Sequence, residues 1–197
     1  MKSLSEIETV SKRASRAAGY SWGICEEVGK NVRLLEMFGL PGIKNLNDYF
    51  DKKKKQKFEN LKLINAENKS TKFQYCPIIS GTSLLDQIKS LNNLNEIKFE
   101  GIAYPLLFLP FVSRASEIIG KRLLLKLDSN EFLLNFNNNI FSNFINNEII
   151  IIANIVTIRL LENTDSFSEK EWNQLYKLSE ETFVEESDSL KETAAGA

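Results

Sequence analysis

The chain has 197 residues, 43% of them hydrophobic, a formal charge of −1 and no histidine. That length suffices for one sizeable core with a small helical appendage, and the near-neutral balance gives no global attraction for nucleic acid or an acidic membrane. The missing histidine excludes Ser-His-Asp and Cys-His nucleophiles, histidine bases and the commonest zinc, copper and iron ligands, and the two cysteines cannot complete a four-cysteine site.

The opening MKSLSEIETVSKR lacks the apolar h-region of an export signal, so a cytoplasmic protein with free thiols at Cys25 and Cys76 is expected. Ser3 and Glu6 make a capping-box pattern, and Leu4, Ile7, Val10, Ala14, Ala17 and Ala18 form the apolar stripe of a helix ending at Gly19. A second helix is predicted from Ser21, as N-cap, through Phe38, with Trp22, Cys25, Val28, Val32, Leu35 and Phe38 on one face and Gly39 closing it.

The stretch SRAAGYSWGICEEVGK, residues 15–30, admits two readings. As a tight corner it buries Trp22 between the two helices and turns Gly29 toward Ala14 and Ala17, where small residues permit close backbone approach. As a ligand site it offers the free amides after Ser21, an open approach at Gly23 and the charge of Arg16 to a carboxylate or phosphate, although Glu26 and Glu27 oppose an anion. With Arg33 and Arg114, the candidate ligand-binding set is Arg16, Ser21, Trp22, Gly23, Arg33 and Arg114. No catalytic residue is assigned. With no GxGxxG or GxxxxGK[ST] cradle, no cofactor or metal is assigned either.

Ile43, Leu46, Tyr49 and Phe50 predict a short third helix, and the run KKKKQK at 52–57 reads as a solvated linker. A helix–turn–helix DNA reader fits poorly, because Glu26, Glu27 and Glu36 on its recognition helix would face phosphates; no nucleic-acid partner is expected. Segments 60–65 and 72–79 read as strands, with Pro77 at an edge, and 82–91 as a helix. A strand at 97–104 and a helix opened by Pro110 and closed by Gly120 follow. KRLLLKL (121–127) and EFLLNF (131–136) flank the turn Asp128-Ser129-Asn130, and 148–161 reads as a central strand covered on both faces. Ser168 and Glu171 form a second capping box, opening a helix with Trp172, Leu175, Tyr176, Ser179 and Phe183 on one face. The apolar runs 101–112 and 149–161 are short and interrupted, so no membrane span is expected.

The predicted fold class is α+β: an N-terminal helical hairpin plus short third helix, then an antiparallel or mixed β-sheet holding 121–127, 131–136 and 148–161, packed by helices near 110–119 and 169–184. The expected divisions are an N-terminal helical subdomain at 1–51, an α+β core at 58–184 and a mobile tail at 185–197.

The segment SLSEIETVSKRASRAAGYSWGICEEVGKNVRLLEMFGLPG, with AYPLLFLPFVSRAS downstream, resembles a bacterial family, domain of unknown function 3726, most closely over residues 3–42. The resemblance implies a bacterial, cytoplasmic protein and carries no activity, cofactor or catalytic residue. Two function classes stand. The first is a non-catalytic binding or assembly protein, an accessory subunit joining a protein partner or a second copy through its N-terminal helices. The second is a small-molecule binder or histidine-independent enzyme built on Arg16, Arg33, Arg114, Glu26, Glu27 and Glu117, in which a carboxylate raised by burial acts as base.

Overall fold

A computed structural model of the chain describes residues 2–144 and 148–182. Contacts group the chain into two units, Met1–Glu162 and Asn163–Ala197. The first opens with three helices, α1 (Leu4–Ala17), α2 (Trp22–Met37) and α3 (Gly42–Lys53). The capping box is formed: the Ser3 hydroxyl accepts the Glu6 N–H, and the Glu6 carboxylate accepts the Ser3 N–H at 2.9 Å. That backbone bond holds Glu6 below the usual carboxylate range.

The predicted stripe of α1 is displaced around the helix. Ser11 and Ser15 are the buried positions, while Val10 and Ala17 point outward. Ser15 donates its hydroxyl to the Ser11 carbonyl at 2.8 Å, whereas the buried Ser11 hydroxyl has no hydrogen-bond partner among the described residues. Gly29 does permit close approach, but not against Ala14 and Ala17. A Cβ there would fall 2.8 Å from the Glu8 carbonyl and 3.3 Å from Lys12 Cβ. In an antiparallel pair, residues equally far from the turn meet, which brings Gly29 to Glu8 and Lys12 rather than to the residues beside the corner.

Beyond α3 the expected strands at 60–65 and 72–79 do not form; the described segment holds only the short β1 (Glu67–Lys69), and α4 (Pro77–Leu91) starts well before Thr82. Pro77 occupies the first helical turn, where its missing N–H costs nothing, and Cys76 caps it. The chain continues through β2 (Glu96–Ala103), a 3-10 turn at Pro105–Leu107, α5 (Leu109–Ile119), β3 (Arg122–Leu127), β4 (Asn130–Leu134), β5 (Ile140–Ser142) and β6 (Ile152–Leu161). Gly120 closes α5 with a positive φ of 64°.

The six strands form one mixed sheet in the order β1-β2-β6-β3-β4-β5, parallel only between β1 and β2. Its buried face carries Ile97, Phe99, Leu123, Leu125, Phe132, Val156 and Ile158 in matched register. The opposite face carries Lys98, Thr157, Lys126 and Glu131 along one row and Glu96, Arg159 and Leu124 along the next. Strand β6 is therefore central, as expected, but covered on one face only, with Asn154, Ile155 and Arg159 exposed. This is the alternation of an antiparallel sheet, not the continuous burial of a doubly wound one.

In the second unit, α6 (Glu169–Glu180) opens with the predicted capping box between Ser168 and Glu171, and Phe167 stacks on Trp172. Phe183 and the segment 185–197 lie outside the described residues.

Candidate functional site

The six predicted ligand residues do not converge on one site. Arg16 donates to the Tyr20 carbonyl at 2.9 Å and stacks over the Trp22 ring at 5.2 Å, with Lys12 at 5.9 Å from the same ring. Trp22 is 55% exposed, contrary to the expected burial, because the first turn of α2 directs it along the outer flank of α1. Ser21 stands at the N-cap of α2 but makes no side-chain cap bond. Arg33 lies about three turns further along α2 and pairs with Glu8 at 3.1 Å. Arg114 on α5 pairs with Glu27 of α2, which also meets Lys30 at 3.6 Å.

Ser21, Gly23 and Arg114 line a shared groove of about 510 Å³ between α2, α4 and α5, but Glu27 and Asp86 line it too. Arg33 and Arg114 border a second groove of about 310 Å³ opposite Glu117. In the first groove two carboxylates face one arginine; in the second Lys30, Arg33 and Arg114 outnumber Glu117, but the two arginines are already paired with Glu8 and Glu27. Glu26 is likewise engaged, bonded to Lys12 at 2.7 Å and held below its ordinary range by that bond. Of the carboxylates and arginines considered for histidine-free chemistry, only Arg114 and Glu27 pair with each other; Arg33 and Glu26 pair with Glu8 and Lys12, Arg16 bonds a backbone carbonyl, and Glu117 accepts from Asn138.

A different set of polar groups gathers on the inner side of the same corner. Tyr20, buried between α1 and α2, places its hydroxyl 2.8 Å from that of Tyr49 on α3. The Tyr49 hydroxyl lies 3.0 Å from Cys76 Sγ, and Tyr20 and Cys76 complete the triangle at 3.7 Å. Each is held from its own element. Arg16 and the Cys25 thiol both donate to the Tyr20 carbonyl, fixing the corner. Tyr49 packs against Phe50, Phe58 and Tyr104. Cys76 Sγ accepts the Ile79 N–H at 3.4 Å as the N-cap of α4. Burial, reinforced by the neighbouring thiol, drives both phenols well above their ordinary range, so both are protonated donors. Tyr104 is raised in the same way, first by burial and then by Asp48, to which it donates at 2.5 Å.

Tyr104 holds a left-handed φ of 45°, which for a bulky aromatic must be stabilised by its surroundings. The edge contact with Tyr49 at 5.6 Å and the bond to Asp48 provide that. The run at 52–57 is not uniformly solvated: Lys53, in the last turn of α3, folds back over the Tyr20 ring at 4.0 Å and donates to the Ala18 carbonyl at 3.0 Å. The Tyr20, Tyr49, Cys76 triangle floors a cavity of about 500 Å³ with Lys53 and Lys57 at its rim. Of these five groups only Lys57 is exposed, Lys53 being half-buried, and nothing in their sequence spacing joins positions 20, 49, 53, 57 and 76. The buried Cys25 thiol is raised by desolvation in spite of Arg16 and Lys12, and behaves as a small apolar side chain.

Among the described residues no three His, Cys, Asp or Glu side chains are grouped to hold a metal ion, and no helix is long and apolar enough to cross a membrane. Residues 2–75 match the model of a family described as a protein of unknown function (DUF3726). The match covers α1, α2 and α3, with Tyr20, Tyr49 and Lys53, and extends well past the segment 3–42 where the resemblance is closest. No curated protein and no solved structure matches the chain.

Proposed function

We propose that the protein is a non-catalytic binding or assembly protein of the bacterial cytoplasm, an accessory subunit that meets its partner through its N-terminal helices. The carrying observation is the outer side of α1. Glu6, Thr9, Val10, Arg13 and Ala17 all face away from the core, and Val10 is 60% exposed. Beside them runs a groove of about 700 Å³ walled by Ile7, Val10 and Ile43. An amphipathic helix laid in such a groove buries apolar area on both partners. Two further observations support this reading: the engagement of the candidate catalytic charges in ion pairs and hydrogen bonds of the fold, and two cysteines that are buried and free.

Affinity capture from native lysate, together with light scattering on the purified chain, tests the proposal. A stoichiometric complex or a defined oligomer is expected for the parent and its loss for Val10→Glu, with an unchanged circular dichroism spectrum. A parent that is strictly monomeric and captures nothing overturns it.

A further inference from the structure

Two phenols and a thiol carry three polar hydrogens. The triangle offers them two close contacts, 2.8 Å between the phenols and 3.0 Å from Tyr49 to Cys76, and one long side of 3.7 Å. When the donors close into a ring, the Cys76 S–H falls to the long side, a weak bond to the Tyr20 oxygen at 3.7 Å that leaves it without a close acceptor. Tyr20 and Cys76 are 6% and 2% exposed and Tyr49 fully buried, so bulk water does not readily supply that acceptor, yet all three line the cavity. A buried donor in this position is stabilised by an acceptor atom that enters from the cavity.

The rest of the lining sets the sign of the guest. Lys53 has used one N–H on the Ala18 carbonyl and lies over the Tyr20 ring, and Lys57 stands further out. Among the described residues no carboxylate lines the cavity, in contrast to the two grooves around Arg114. Ser21 at the start of α2 is also part of the wall, and its unused side chain leaves the first amides of that helix open. Ile24, Phe58 and Ile79 supply the apolar part of the wall, and Gln56 and Asn60 add neutral amides. The volume of about 500 Å³ lies in the range of small-molecule sites.

We propose that this cavity binds a small organic oxyanion, a carboxylate or phosphate monoester carried on an apolar body, whose oxygen accepts from the Tyr20, Tyr49, Cys76 triangle while Lys53 offsets its charge. The assembly surface on the far side of α1 shares none of these residues.

Calorimetric titration of the full chain with benzoate, phenyl phosphate and the neutral benzamide tests the assignment. Saturable binding of at least one of the two anions is expected, with no binding of benzamide; which anion binds distinguishes carboxylate from phosphate. Lys53→Gln should weaken that binding by about tenfold or more, and Lys57→Gln by less, while Lys12→Gln, outside the cavity, leaves it unchanged. If Lys53→Gln proves unfolded by circular dichroism, Lys57→Gln and the salt dependence of the parent carry the test, both showing weaker binding. The proposal is overturned if neither anion binds, if benzamide binds as well as benzoate, or if the folded lysine variants bind like the parent. Val10→Glu should leave the titration untouched, so a failed assembly surface and a failed cavity are told apart.

Discussion

Tyr20 and Trp22 stand two residues apart at one corner and lie on opposite sides of it. Tyr20 is buried with its hydroxyl bonded, whereas the larger and more apolar Trp22 is exposed with two cations beside its ring. Side-chain size did not decide which one became the anchor. The backbone direction did: the turn residue projects inward, where α3 and α4 supply both apolar walls and polar partners, while the first turn of α2 projects past α1 into solvent. Tyrosine suits the inner place because its rim is apolar and its tip can be satisfied at depth. Trp22 gains what an exposed ring can, shielding the stems of Lys12 and Arg16.

The contrast is broken most directly at Tyr49, the residue that ties the inner cluster together. Tyr49→Ala should cost about 3–5 kcal/mol by leaving a cavity among Phe50, Phe58 and Tyr104. Urea denaturation midpoints measure it, and a loss no larger than that of Trp22→Ala would erase the distinction between the two sides.

A smaller change sharpens it. Tyr49→Phe should cost about 1 kcal/mol at neutral pH by removing the central hydroxyl of the triangle. Burial raises both phenols in the folded chain, so the unfolded chain ionises first, near the ordinary value of 10.0. The associated stability is complete below that pH and declines as pH rises through it. The parent loses it at two phenols and Tyr49→Phe at one, so the gap between them should narrow in alkali. Thermal melts from neutral to alkaline pH check this, and a gap that widens contradicts the burial of the pair. The smallest effect is expected at Trp22→Ala, about 0.5–1 kcal/mol for an exposed cation–π contact. A larger loss in the same urea series would restore Trp22 to the core.

Much of the fold was legible where local chemistry and tertiary demand agree. Both capping boxes form, α2 and α5 stop at Gly39 and Gly120, and the turn after Leu127 joins two antiparallel strands. The misreadings share a cause. In Cys76-Pro77-Ile78-Ile79 the apolar run fits a strand or a buried helix equally well, and only the cap on Cys76 Sγ separates them. On α1 the fully buried positions are serines, which periodicity counts as polar, so the apolar pattern takes in the exposed Val10 and Ala17 along with the half-buried Leu4, Ile7, Ala14 and Ala18. For the candidate site, Arg16 and Ser21 were found beside the corner, but each arginine proved to be engaged in the fold. The cavity floor was not legible at all. Its phenols and thiol come from three elements, and each looks like an ordinary core residue until the fold joins them.

The strand order has a bearing on how the chain behaves at high concentration. The isoleucine-rich β6 is the segment best suited to cross-β stacking, with β-branched residues, few charges and no proline. The sheet places it between β2 and β3, where both of its hydrogen-bonding edges are taken. The outermost strands, β1 and β5, are three residues each, and β1 ends in Lys69. Such blunt margins give an incoming strand almost no ladder to extend. Fibre growth from the folded protein is therefore closed off at both margins, and β6 becomes available to another chain only after the sheet itself has come apart.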